Sequence, residues 1–105
     1  MMVDPGMQLS VQPVGDGVVL VKGELDIRTC DELERALGEL GDRGDRLVLD
    51  LSELTFCDST GLAGLVRVHK RTAAAGGSLV LRSPVSRVRH LLTLTGLTRL
   101  FPIEP

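Results

Sequence analysis

Asp58, Ser59, Thr60 and Gly61 stand in the run TFCDSTGLAGL (55–65), where a strand-like apolar stretch gives way to a helix-like one. An acid and two hydroxyls at such a junction admit four chemistries. A side-chain oxygen there can accept from the free N–H groups of a helix's first turn, a cap that contributes roughly 1 kcal/mol. A serine can act as a nucleophile when a base lies within hydrogen-bond reach. A helix N-terminus can cradle a phosphate group. An exposed serine can itself be phosphorylated, which adds about −1.5 to −2 charges at neutral pH.

The cap explains one polar residue, but three stand together. Gly61 also removes side-chain bulk where another molecule could approach the backbone. The nucleophile lacks a base. His69 is further along the same predicted helix, about 15 Å away at 1.5 Å per residue, and His90 falls on another. The segment lacks the G-x-S-x-G of a nucleophile elbow. Nucleotide binding lacks both the P-loop and the G-x-G-x-x-G pattern, and Lys22 and Lys70 lie outside any glycine-rich loop. No second ligand sits at zinc spacing from His69, which reads instead as a partly buried core histidine. No cofactor and no metal is expected. His90, beside Arg87 and Arg89, reads as solvated. Arg67, Lys70 and Arg71 form a basic strip, either a wet helix face or a contact for an acidic partner.

The elements that position the motif follow from hydrophobic periodicity. LSVQPV (9–14) alternates and contains Pro13, as an edge strand would. A turn at 15–17 joins it to a second strand, 18–23, in a hairpin. Ile27, Cys30, Leu33, Leu37 and Leu40 recur at helical spacing, with Asp26 placed to cap their helix. RLVLDL (46–51) is a nearly continuous apolar run, as expected for a central strand. The next helix begins near Ser59 with Leu62, Leu65, Val66, His69 and Ala73 inward, and AGG (75–77) ends it. SLVLR (78–82) is a strand. A third helix follows, with Ser83 as cap, Pro84 in the first turn, Val85, Val88, Leu91 and Leu92 inward, and Gly96 as stop. LFPI (100–103) is a short last strand. Such alternation predicts an α/β domain with a partly parallel sheet.

Composition narrows the function classes. The 105 residues are 43% hydrophobic and 25% charged, with a net charge of −2, which fits one soluble domain spanning 1–105 with one modest core. Residues 1–7 read as a loose end. The charge leaves no nucleic-acid footprint. With two Phe and no Trp or Tyr, no platform for stacking bases exists. No apolar run is long enough to span a membrane, and the start lacks the features of a signal peptide. Cys30 and Cys57 form no C-x-x-C and read as reduced, buried thiols of a cytoplasmic protein.

Four segments, in this order, resemble the STAS domain, and within it the stand-alone bacterial anti-sigma factor antagonists. They are GELD (23–26), LVLDLSELTFCDSTGLAGL (47–65) with its D-S-[ST]-G signature, GGSLVL (76–81) and SPVSRVRHLLTLTGL (83–97). The similarity runs from about Leu9 to Ile103. It implies a STAS-type mixed, partly parallel sheet of four to five strands with helices mainly on one face. It implies a binding protein and not an enzyme: the unphosphorylated form captures an anti-sigma factor of GHKL-type serine kinase fold and frees its sigma factor. Phosphorylation breaks that complex, and a metal-dependent serine phosphatase restores it. By motif position the phosphorylated residue corresponds to Ser59, with Thr60 as second choice. The implied partner surface comprises Asp26, Asp58, Ser59, Thr60, Gly61 and Leu62. Cys57 departs from the family's usual larger apolar residue. The competing expectation is a non-enzymatic STAS subunit of another assembly, either a stress-signalling scaffold or a lipid-transport accessory protein. The tail of an anion transporter and a small hydrolase are further alternatives, disfavoured by the lack of a membrane segment and of a base.

Overall fold

The structure is a computed structural model that describes residues 8–105; the loose end expected over 1–7 lies outside the described residues. The elements are β1 (Leu9–Gly15), β2 (Val18–Leu25), α1 (Cys30–Gly41), β3 (Arg46–Cys57), α2 (Ser59–Ala74), β4 (Ser78–Arg82), α3 (Ser86–Leu94), a 3-10 turn (Leu97–Arg99) and β5 (Ile103–Glu104). The sheet order is β1-β2-β3-β4-β5. The β1–β2 hairpin is antiparallel, and the three remaining pairings are parallel.

Strand β3 is twice as long as the apolar run 46–51 suggested. Its pairing with β2 shows why. Leu20 faces Asp50 but Lys22 faces Glu53, and Gly23 faces Leu54 but Glu24 faces Phe56. β3 thus carries one extra residue at each of two bulges. The bulges break the period-two signal, so the buried positions Leu49, Leu51, Leu54 and Cys57 no longer alternate. They also carry the strand end to the start of α2.

Leu47, Leu49 and Leu51 of β3 and Leu79 and Leu81 of β4 share one buried cluster with Leu33 and Leu37 of α1, Leu62, Leu65 and Val68 of α2, and Val88 and Leu92 of α3. All three helices therefore cover one face of the sheet. Val85 and Leu91 pack against this cluster from its margin, so the inward face read for α3 holds. Phe101 closes it at 1% exposure and meets the ring of His69 edge-on, with centroids 5.4 Å apart. His69 is half-buried, as expected.

Several boundaries differ from the sequence reading. Ala73 is exposed, and Val68 and Thr72 take the inward places on α2. The reason is that α2 packs against α1 as well as the sheet, which rotates the buried face. Thr72 is tolerated there because its hydroxyl donates to the Val68 carbonyl at 2.8 Å. Ser83 does not cap α3. It sits at φ 52°, and the cap position is Val85. The last strand starts at Ile103, because 97–99 coil into a 3-10 turn and Phe101 dips into the core. The basic strip of α2 is largely neutralised within the chain. Arg67 donates to both oxygens of Glu34 at 2.8 and 2.9 Å, and Arg71 pairs with Asp42. These fork-shaped bonds tie α1 to α2.

Candidate functional site

The site forms where the C-terminal ends of β2 and β3 meet the starts of α1 and α2. Asp58 caps α2. Its backbone is extended, at φ −111° and ψ −174°, and its Oδ1 accepts from the Gly61 N–H at 2.9 Å. Capping therefore falls to Asp58 alone. Ser59, the first residue of the helix, is exposed, and Thr60 is half-buried. Gly61 is buried against β2. A Cβ there would fall inside contact distance of the Leu25 carbonyl oxygen and 2.8 Å from Leu25 Cγ. The Asp58 N–H donates to that same Leu25 carbonyl at 3.3 Å, so α2 starts in direct contact with the end of β2.

Leu25 runs into Asp26, which is buried at 7% exposure. Asp26 does not cap α1 as expected. That helix begins at Cys30, with Thr29 at the cap position and no side-chain cap bond. The Asp26 carboxylate is instead occupied by Arg28, accepting from its backbone N–H at 2.9 Å and from Nη2 at 2.6 Å. Arg28 also reaches Glu24 at 3.0 Å. The Thr29 hydroxyl accepts from the Asp26 N–H at 3.0 Å and donates to the Glu24 carbonyl at 2.8 Å. This closed turn consumes the groups that would otherwise have capped the helix. It also displaces Ile27 from the core face assigned to it, leaving it 73% exposed.

The Arg28 guanidinium holds the Asp26 carboxyl below its ordinary value, chiefly through the side-chain hydrogen bond. Glu34 and Asp42 are lowered in the same way by Arg67 and Arg71. A carboxylate whose folded-state pKa is depressed adds stability above its unfolded value, and loses it as pH falls through the folded one. Stability should therefore drop below about pH 4, the ordinary carboxylate range. Urea unfolding between pH 7 and pH 2.5 is expected to show a shallower acid limb for Asp26→Asn than for the wild type. Parallel limbs would mean that the Arg28 contact does not persist in solution.

Cys57 lies beneath the motif, buried and reduced, as is Cys30. Burial first, then the nearby charges of Asp58 and Asp26, pushes its thiol up to about 12. It stays protonated at neutral pH and is no thiolate nucleophile. A cleft of about 600 Å³ opens between the two loops, with Asp26, Arg28, Phe56, Asp58 and Arg87 among its walls.

The structure thus gathers Asp26, Asp58, Ser59, Thr60 and Gly61 at one edge. Gly61 and Leu62 are corrected: Gly61 is buried against the Leu25 carbonyl and Leu62, at 2% exposure, belongs to the core, so both support the site from below and offer no surface to a partner. Sequence reasoning missed Arg28, Phe56 and Arg87. A signal was available for Arg28, since it stands two residues after Asp26 where an Asx turn can form. For Arg87 there was none, because only the α3 crossover brings it there.

A five-stranded mixed sheet with three helices on one face, and Asp-Ser-Thr-Gly at a helix start on its edge, defines a STAS-type domain. The family model described as "Mlab, STAS domain" matches residues 10–102, and the chain belongs to the STAS domain family. It is 33% identical to the anti-sigma-B factor antagonist of Bacillus subtilis over 93 residues, covering 89% of this chain and 85% of that protein. It is 34% identical to the anti-sigma-F factor antagonist RsfB of Mycobacterium tuberculosis over 90 residues, covering 83% and 74%. The crystal structure of an anti-sigma factor antagonist from Mycobacterium paratuberculosis superposes with a TM-score of 0.70 at 33% identity, covering 99% of this chain and 91% of that one. Among the described residues no helix is long and apolar enough to cross a membrane.

Proposed function

We propose that this chain is an anti-sigma factor antagonist of the cytoplasm that acts by binding, without catalysis, and is switched by phosphorylation of Ser59. The observation that carries this reading is a division of labour at the start of α2. Asp58 makes the cap bond, and Ser59 beside it is exposed. The relatives' names supply the partner class, an anti-sigma factor. In its unphosphorylated state the chain binds an anti-sigma factor of GHKL-type serine kinase fold and releases the sigma factor held there. The kinase passes the γ-phosphoryl group of ATP to Ser59 Oγ: the new O–P bond forms as ADP departs, and the hydroxyl proton is released. A metal-dependent serine phosphatase uses water to cleave that bond, which frees inorganic phosphate and restores the hydroxyl.

A second reading, a non-catalytic STAS subunit of another assembly, draws on the description of the matching family model, which is not that of an antagonist. One experiment separates the two. The chain is incubated with purified anti-sigma kinases and ATP, and phosphopeptides are mapped. Phosphate should appear on the peptide containing Ser59 and vanish in Ser59→Ala. Unchanged incorporation in that variant would move the site, with Thr60 next in line. No incorporation from any such kinase would favour the second reading.

A further inference from the structure

Among the described residues five large apolar side chains stand exposed: Val14, Ile27, Phe56, Leu94 and Leu100. Two of these, Ile27 at 73% and Phe56 at 36%, line the same cleft as Asp26 and Asp58. Both owe their exposure to the local backbone. The closed Glu24–Thr29 turn turns Ile27 outward. The second bulge of β3 sets Phe56, in place of Thr55, opposite Glu24. The two residues come from different loops and are brought together only by the fold. Scattered apolar residues on a surface need no explanation. A pair converging on one cleft beside an exposed serine has the make-up of an interface centre, where a few apolar anchors dominate affinity.

We propose that Ile27 and Phe56 form the apolar anchor by which this chain grips its anti-sigma factor, seating one apolar side chain of the partner between them. Along the cleft, Glu24, Asp26 and Asp58 outnumber Arg28 and Arg87. The partner surface that fits is therefore apolar at its centre and basic at its edge. The anchor is continuous with the switch: Phe56 lies three residues before Ser59, and Asp58 belongs to both. This inference rests on the function proposed above. It assigns affinity to Ile27 and Phe56 and leaves control to Ser59.

The test uses the unphosphorylated full chain and purified GHKL-type anti-sigma factors from its host, with titration calorimetry on whichever binds the wild type. Ile27→Ala and Phe56→Ala should each weaken binding at least tenfold. Val14→Ala and Leu94→Ala, also exposed but outside the cleft, should stay within twofold. Thermal melts accompany each variant, and Ile27→Gln gives a second test at a position where folding is not at stake. Binding unchanged at both Ile27 and Phe56, or weakened equally by the two control variants, would overturn the anchor while leaving the proposed function intact. If the wild type binds none of the anti-sigma factors, both fall together.

Discussion

Ser59→Asp is expected to weaken binding to the anti-sigma factor about a hundredfold, close to 3 kcal/mol, while Ser59→Ala binds as tightly as the wild type or nearly so. Alanine removes a rim hydroxyl and adds no charge. Aspartate places a second carboxylate next to Asp58, beside a cleft that already holds Glu24 and Asp26. Bringing a partner shaped for a neutral hydroxyl at this position against that surface strips water from adjacent like charges, at a cost larger than basic groups at the edge of the cleft return. The domain itself should tolerate either change. The N-terminal turn of α2 favours a negative charge by about 0.3–1 kcal/mol, which roughly offsets the repulsion from Asp58, and Ser59 is outside the core. Calorimetry on both variants reads the affinity. Amide shifts on full phosphorylation should cluster from Cys57 to Leu65 and around Asp26, since Asp58 and Leu25 are hydrogen-bonded neighbours. Equal affinities of the two variants, or large shifts within β4 and along α3 beyond Arg87, which shares the cleft with Asp58, would show that charge at this position does not act through the contact surface.

Gly61→Ala should lower stability by about 2 kcal/mol, although alanine is the better helix former by about 1 kcal/mol. The added methyl group would meet the Leu25 carbonyl oxygen, a backbone atom that cannot rotate away, and the buried Leu25 side chain. Overpacking at such a point commonly costs about 1–3 kcal/mol, and a backbone partner puts this site at or above the upper end. The strain is relieved only if the start of α2 lifts from β2, which would also move Ser59 away from the Asp26 loop. Urea unfolding of the variant measures the effect. Stability equal to or above that of the wild type would mean that α2 and β2 are not held at this distance.

The elements legible in the sequence are those whose burial follows one simple period. Leu47, Leu49 and Leu51, the spacing of Leu33 and Leu37, and Val88 with Leu92 each face one apolar neighbourhood, so pattern and structure agree. The reading failed where two demands met on one segment. α2 packs on both the sheet and α1, and its buried face shifted to Val68 and Thr72. β3 carries two bulges, and its second half lost the alternation that would have marked it as strand. At the candidate site the Asp-Ser-Thr-Gly motif was visible, but which residue caps was not, since Asp, Ser and Thr all serve. Asp26 and Ile27 were misplaced for one cause. A turn closed by Arg28 and Thr29 is a set of side-chain bonds that periodicity does not register, and it delays α1 to Cys30.

The strands lie across the sheet in the order in which they occur along the chain. This bears on how the protein is made. Each new strand joins the exposed edge left by the one before, and none must be threaded between partners already paired. A chain emerging from the ribosome can therefore build the sheet in one direction as it lengthens, with domains tending to fold from the N-terminal side during synthesis. By the time Ala74 has emerged, the β2 end, the β3 bulges and the first turn of α2 are all available, and Ser59 already sits at its lip. The remaining third of the chain then adds Arg87 to the cleft wall and covers the β4 side of the core with α3 and Phe101.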